Sequence, residues 1–88
     1  MAFANVVVHS VEELEQYYAR LVERKQALST LLSELSADCR QQNSNWADGQ
    51  YHAFEKKLSA FTGSVGRMVD EDLKEAIDDV DHMLKRLQ

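Results

Sequence analysis

Histidine and cysteine are the side chains in this sequence best suited to bind a transition metal or act as nucleophiles. His9, His52 and His82 lie far apart, and none has a second histidine or a cysteine four residues away, the usual spacing of a helical metal site. Cys39 falls on an apolar helical pattern, where a free thiol usually packs as a small hydrophobic group, and Arg40 is the only cation beside it. We therefore predict no metal site and no cofactor.

Acidic side chains crowd the C-terminal part of the chain. A calcium-binding loop needs alternating oxygen ligands around a glycine turn, whereas this run follows a helical pattern. We predict a solvated helix face, and a face turned toward a basic partner is the alternative. The run consists of Asp70, Glu71, Asp72, Glu75, Asp78, Asp79 and Asp81.

An active site in a helical protein of this kind needs several polar groups converging on a buried face. Only Lys25 interrupts the apolar pattern of the first helix. A lone lysine can equally extend its amine to the surface or fix the register of a helical bundle. We therefore predict that the protein is not an enzyme.

Length and charge narrow the class of protein further. The chain has 88 residues, which suits one domain, 1–88, with a small core. Its net charge of −5 and its scattered lysines and arginines argue against a nucleic-acid partner, because binding to phosphates needs clustered cations. No apolar run approaches the roughly 20 residues of a membrane span, so we predict no membrane insertion.

The N-terminus lacks the basic and long apolar regions of a secretory signal peptide. We therefore predict a cytoplasmic protein and leave open an export route that needs no cleavable signal peptide. The single cysteine cannot form a disulfide within the chain.

The elements that carry these side chains are predicted to be two long helices. The sequence has no proline, only three glycines and many residues of high helix propensity. Ser10 and Glu13 match a capping box, in which each side chain bonds a free amide of the first turn. A first helix is therefore predicted over 10–42. The β-branched segment 1–9 is predicted to be extended across a hairpin, with a frayed tail as the alternative.

Apolar residues recur at spacings of three and four along both helices. The second helix is predicted over 49–87 after a turn over 43–48, and its spacings lengthen near Gly63, which predicts a kink or a change of packing partner there. The pattern of the first helix is Val11, Leu14, Tyr18, Leu21, Lys25, Leu28, Leu32, Leu35 and Cys39. The pattern of the second helix is Tyr51, Phe54, Leu58, Phe61, Val65, Val69, Leu73, Ala76, Val80, Leu84 and Leu87.

A short connection forces the helices to pack antiparallel, so we predict an all-α, two-helix hairpin. Adjacent apolar residues, such as Leu31 and Leu32, point about 100° apart and widen the stripe beyond what one partner helix covers. A second copy, or a similar hairpin, packed on this second face would complete a four-helix bundle. The candidate interface residues are Tyr17, Leu21, Leu28, Leu32, Leu35, Val65, Val69 and Ile77.

The stretch "NSNWADGQYHAF", residues 43–54, joins the helices and holds the only tryptophan. Trp46 can fold back over the last layer of the core as a lid. The polar residues around it can satisfy the free amides and carbonyls of the two helix ends, with Asp48 near the positive end of the second helix.

The same stretch resembles the Trp-X-Gly family of small helical-hairpin proteins associated with type VII secretion. In that family a Trp and a small residue two positions later occupy the turn, and aromatic residues follow on the second helix. Trp46, Tyr51 and Phe54 match in type and spacing, and length and layout match over nearly the whole chain. Two features depart from the family. Asp48 replaces the small residue, with Gly49 one position later, and the tail lacks the Tyr four residues before an acid that marks export.

The resemblance implies a non-enzymatic protein-interaction module, a secreted or adaptor component of a type VII-like system. It implies a secretion ATPase or an effector as a partner, docked at the turn, where aromatic side chains would dominate the contact. A cytosolic helical assembly or scaffold protein without a role in export is the alternative. The candidate docking residues are Trp46, Asp48, Gly49, Tyr51 and Phe54.

Overall fold

The protein is an all-α antiparallel hairpin, as the sequence predicts. The computed structural model describes residues 7–88. Helix α1 spans Val11–Gln42 and packs along the whole return helix. The predicted extended segment 1–9 falls largely outside the described residues.

The return helix is continuous but not uniform. It begins as α2, Gly49–Arg67, passes through a π-helical turn, Met68–Leu73, and continues as α3, Lys74–Leu87. No helix within residues 7–88 is long and apolar enough to cross a bilayer.

Helix α1 begins where the capping pattern predicts. The Glu13 amide donates to Oγ of Ser10 at 3.1 Å. Glu12 and Glu13 lie in the first turn and Arg40 lies in the last, so each charge opposes the partial charge of the nearer helix end.

The hairpin is a single layer of two helices. Its principal extents are 57 × 23 × 14 Å, which correspond to two helices side by side and one helix in thickness. At the open end, Nε2 of Gln88 donates to Oε2 of Glu15 at 2.6 Å and links the C-terminus to the start of α1. Domains are usually built from at least two packed layers, so both broad faces of this layer lack the cover that a larger fold supplies.

The core of the hairpin is a narrow row between the two helices. Most other apolar residues along this row, such as Leu32 and Leu58, are only half-buried. A chain this short buries a modest share of its surface, and a single layer buries less still. The buried apolar residues among those described are Cys39, Tyr51, Val69, Ile77 and Leu84.

The π-helical turn shifts the inward-facing residues of the return helix by one position. Leu58 and Val65 face α1 seven residues apart, whereas Val69 and Ile77 are eight apart. Because π-helical hydrogen bonds span five residues instead of four, the turn absorbs the extra residue. Ile77 and Leu84 therefore remain buried, at 5% and 6% exposure.

The predicted inward stripe of the second helix is wrong at several positions, because apolar spacing defines a stripe without deciding which edge of it faces the partner helix. Thr62 and Ile77 lie in the seam, the row of residues between the two helices, where the pattern placed Phe61 and Ala76. The predicted interruption near Gly63 is found instead at the π-helical turn. The stripe residues that are exposed are Phe54, Phe61, Ala76 and Leu87.

Candidate functional site: the turn and the apolar face

Helix α1 ends in a compact turn that fixes the position of Trp46. The carbonyl of Gln42 accepts hydrogen bonds from the amides of Asn45 at 2.9 Å and Trp46 at 2.7 Å. The Ser44 hydroxyl donates to the Gln41 carbonyl at 3.0 Å. These bonds satisfy carbonyls that a helix end otherwise leaves free, so the tryptophan backbone is held against the end of α1.

The Asp48 carboxylate organises the start of α2. Its Oδ1 accepts from the amides of Gln50 at 2.9 Å and Tyr51 at 3.1 Å, the pattern of a helix N-cap. The same oxygen accepts from Nε1 of Trp46 at 2.9 Å. Asp48 therefore both caps α2 and orients the indole ring.

Tyr51 is the most deeply buried side chain at this end, with 2% exposure. Its hydroxyl lies 3.0 Å from the carbonyl oxygen of Cys39 and 3.4 Å from Oε2 of Glu55. The contact with the Cys39 carbonyl ties α2 to α1. Burial, and then the neighbouring Cys39 and Glu55, raise the pKa of Tyr51 to about 12.

The aromatic residues of the turn form one cluster. The rings of Trp46 and Tyr51 meet edge to face with centroids 5.5 Å apart, and those of Trp46 and Phe54 are tilted at 5.7 Å. Trp46 is half-buried and Phe54 is exposed. The tryptophan therefore covers Tyr51 on one side, as the lid interpretation predicts, and also contributes to an open aromatic surface with Phe54.

Four of the five candidate docking residues contact one another through Trp46 and Asp48, and Gly49 is the exception. Gly49 is the first residue of α2, and a Cβ added there would meet no atom within 4 Å. Packing does not require a glycine at this position.

The residues considered for metal binding or nucleophilic chemistry do not come together. Cys39 is buried, with Sγ 4.0 Å from the Tyr51 hydroxyl, and the ring of His52 lies against Tyr51 at 5.6 Å. Lys25 is half-buried on the seam of α1. Residues 7–88 contain no group of three or more His, Cys, Asp or Glu side chains placed to hold a metal ion.

The acidic run lies mainly on the solvent side of the π-helical turn and α3. Two of its members pair with lysines one turn away on the same helix: Asp78 with Lys74 at 2.7 Å and Asp81 with Lys85 at 3.0 Å. The Lys74 amine, through its hydrogen bond, holds the pKa of Asp78 below its ordinary value. These contacts fit the predicted solvated face.

Two triplets at one level of the hairpin, residues 31–33 and 61–63, show how its two broad faces differ. In each triplet the middle residue is half-buried between the helices, and the third residue lines one open groove. Because neighbouring residues on a helix point about 100° apart, the first residues, Leu31 and Phe61, lie on the opposite side of the seam.

That opposite side carries a patch of large apolar side chains, which we call the apolar face. Phe61 and Leu31 are 54% and 56% exposed. Other exposed residues follow at helical spacings of three, four or seven from these two, so they share the same side. The apolar face consists of Leu28, Leu31 and Leu35 on α1 and Phe54, Phe61 and Met68 on the return helix.

The groove on the other side has a different chemistry. Its volume is about 460 Å³, and most of its lining is hydroxyl side chains and glycine. The two faces therefore differ in the side chains that they offer a partner. The groove is lined by Ser29, Leu32, Ser33, Ser36, Arg40, Ser59, Thr62, Gly63, Gly66 and Asp70.

The predicted interface residues separate into three groups. Tyr17, Leu28 and Leu35 are exposed, whereas Val69 and Ile77 are buried inside the hairpin. The remaining three are half-buried along the seam: Leu21, Leu32 and Val65. Only the exposed group offers apolar surface to another molecule.

The candidate list from the sequence omitted the most exposed members of the apolar face, Leu31, Phe61 and Met68. The pairs Leu31/Leu32 and Met68/Val69 contained the signal, because one member of each pair has to face away from the partner helix. Which member does so depends on how α1 and the return helix are rotated.

No protein-family model, curated protein or solved structure matches this chain at a significant level.

Proposed function

We propose that this protein is a non-enzymatic interaction module that binds a second helical hairpin through its apolar face. The observation that carries the proposal is the exposure of three large apolar side chains, Leu31, Phe61 and Met68, each more than half accessible. Contiguous apolar patches of this kind on small proteins usually mark sites of association.

The size of the face suits a stable complex. The whole broad side of the hairpin that carries the apolar face measures 57 × 23 Å, about 1,300 Å², so it has room for the roughly 800 Å² that each partner buries in an interface of standard size. Phe54, Phe61 and Met68 follow one another at seven-residue intervals. This is the repeat by which helices pack against each other in bundles.

A second copy of the chain is the partner that we propose, and a similar hairpin is the alternative. Two layers joined through their apolar faces form a four-helix bundle, and an isologous contact between identical faces is the commonest form of dimer. Such a dimer would cover the apolar residues that the single layer leaves in water.

The test compares two aspartate substitutions that flank the seam residue Leu32 on opposite sides, Leu31→Asp and Ser33→Asp. Both positions are exposed, so each single hairpin should keep its helicity. Sedimentation equilibrium at micromolar concentration should show a dimer for the parent and Ser33→Asp. It should show a monomer for Leu31→Asp, because the new charge would be buried without a partner.

A compact monomer for the parent would rule out self-association. In that case the parent is titrated with a candidate hairpin. Binding that Leu31→Asp abolishes would indicate a mixed dimer through the apolar face, and an absence of binding would indicate that this hairpin is not a partner. A dimer that survives Leu31→Asp would place the interface elsewhere. A loss of dimer in both variants would show that the contact is not specific to the apolar face.

We further propose that the module serves a type VII-like secretion system as a secreted or adaptor protein. The support is the resemblance of the turn, together with the open surface that Trp46 and Phe54 form beside the Asp48 cap. A secretion ATPase or an effector would dock there, since aromatic residues dominate interface hot spots. Co-precipitation of the tagged parent with the secretion ATPase should be weakened by Phe54→Ala. Phe54 also belongs to the apolar face, so the monomeric Leu31→Asp variant, which leaves the turn unchanged, is the control and should still co-precipitate.

A cytosolic assembly protein without a role in export is the second candidate. It is favoured by Asp48 in place of the small residue that the resembled family has there. The amount of the parent protein in the culture medium is compared between cells with and cells without the secretion ATPase. Equal amounts would support this candidate over secretion.

A further inference from the structure

The π-helical turn has a consequence for which residues belong to the apolar face. In the structure, Ala76 and Met83 directly precede the buried residues Ile77 and Leu84. Phe61 likewise directly precedes an inward-facing residue of α2. Ala76 and Met83 therefore lie on the same side of the hairpin as Phe61, the side of the apolar face. The π-helical turn thus places Ala76 and Met83 in line with Phe54, Phe61 and Met68, toward the open end of the hairpin.

An uninterrupted α-helix would align α3 differently. Ala76 and Met83 follow Val69 by seven and fourteen residues, so a straight helix would turn them inward to where Ile77 and Leu84 now lie. Glu75 and His82 would then take the places of Ala76 and Met83 on the apolar side. One stretch of chain therefore has two registers, and both present apolar residues to α1.

The segment that leads into the π-helical turn has low helical stability. Gly63 and Gly66 lie inside α2, and a Cβ added at either would meet no atom within 4 Å, so packing does not require them. Glycine inside a helix lowers its stability relative to alanine. Together with the weaker geometry of a π turn, these residues lower the resistance of the return helix to a change of register.

We propose that the π-helical turn is a register device that controls the apolar face. With the turn in place, Ala76 and Met83 extend the face. When the turn relaxes to α-helix, α3 rotates, Ala76 and Met83 are withdrawn into the core, and the face ends at Met68. This inference rests on the proposed function, because a hairpin bound to the apolar face selects the register that offers the longer apolar line.

The test removes the extra residue. Deletion of Glu71, which is exposed in the middle of the turn, leaves a continuous α-helix that keeps Ile77 and Leu84 inward and eliminates the second register. Deletion of Lys57, an exposed residue of α2, is the matched control, because α2 contains no extra residue to lose. The Glu71 deletion should retain the parent's melting temperature within a few degrees, whereas the Lys57 deletion should lower it by roughly 10 °C or more.

The side chain of Met83 reports the register directly. Methyl relaxation dispersion on the monomeric Leu31→Asp variant, in which no bound hairpin selects one register, should show exchange at Met83, which moves between two environments. Met68 precedes α3 and should show no such exchange. In the Glu71 deletion the exchange at Met83 should disappear, and amide exchange over residues 69–74 should slow by about tenfold.

Two results would overturn the inference. One is a Glu71 deletion that destabilises the hairpin as much as the Lys57 deletion does, since the turn would then contain no spare residue. The other is exchange at Met83 that is absent from the monomeric Leu31→Asp variant or unchanged when Glu71 is also deleted from it. The register readouts do not require a dimer, so a monomeric parent that shows them would refute the proposed partner while leaving the register device intact.

Discussion

At the turn of the hairpin, the Asp48 carboxylate accepts three hydrogen bonds and Tyr51 is 2% exposed, with its hydroxyl bonded to the backbone of α1. Halfway along the return helix, Gly63 and Gly66 have empty space around them and a π-helical turn follows. The two regions belong to the same pair of helices, but they differ in how firmly the chain is fixed. The chain reverses where side chains bond backbone groups, and the proposed change of register lies where side-chain packing alone holds the return helix against α1.

This difference has a physical cause. A tight turn leaves free amides and carbonyls that must be satisfied within a few residues, so polar side chains fix its geometry. The middle of a two-helix layer has its backbone groups paired already and depends on side-chain packing alone. Where that packing involves one neighbouring helix instead of several, small changes of rotation have little energetic consequence.

The comparison predicts its largest effect at Tyr51. Replacing a fully buried aromatic residue with alanine leaves a cavity, so Tyr51→Ala should lower the free energy of unfolding by about 3–5 kcal/mol. Phe54→Ala, one turn away and exposed, should lower it by at most about 1 kcal/mol. Urea denaturation of both variants is the measurement. Equal losses in the free energy of unfolding would show that the buried side chain at the turn contributes no more to stability than the exposed one.

The next effect appears at alkaline pH and needs no substitution. Burial raises the pKa of Tyr51 from 10.0 to about 12, so the folded state holds the hydroxyl proton more tightly than the unfolded state. The stability that this group contributes is complete below pH 10 and is lost as the pH rises through about 12. Tyr51→Phe should flatten the slope of stability against pH in this window. A parallel slope in both proteins would assign the alkaline loss to other groups.

Asp48→Ala should have a smaller effect at the same end of the molecule. The substitution removes the cap of α2 and frees Nε1 of Trp46, which predicts a loss of about 1–2 kcal/mol. Asp48→Asn keeps an acceptor oxygen and should recover most of the loss. Thermal unfolding followed by circular dichroism measures both, and a shift in tryptophan fluorescence should accompany only the alanine variant.

The smallest predicted change has the opposite sign and lies in the middle of the return helix. Gly63→Ala should raise stability by about 1 kcal/mol, because the added methyl group meets no atom and alanine favours the helix. The matched control is Ala60→Gly, at an exposed position of the same helix, which should lower stability by a similar amount. A destabilised Gly63→Ala variant would indicate that this part of the helix is packed as firmly as the turn.

Several features of the structure follow from short-range sequence patterns. Ser10 caps α1 because its hydroxyl meets an amide three residues away, and that spacing can be read directly from the chain. The hairpin follows from two long apolar patterns joined by a short polar connection. The contacts among Trp46, Asp48, Tyr51 and Phe54 span at most eight residues, so the sequence could also identify the turn cluster.

The composition of the faces required the tertiary structure. The pairs Leu31/Leu32 and Ala76/Ile77 each contain two apolar residues, and either member satisfies the helical spacing. Which one faces inward depends on the rotation of each helix about its axis. That rotation is set by contacts between residues far apart in the chain.

What the sequence alone determined is therefore the all-α hairpin and the start of α1 at the Ser10 cap, because these depend on propensity and on hydrogen bonds between near neighbours. What only the tertiary structure decided is the π-helical turn, the burial of Ile77 and the exposure of Phe61. The physical reason is that a helix can meet its partner at more than one rotation with nearly the same local energy. Only the packing of the whole interface distinguishes one rotation from another.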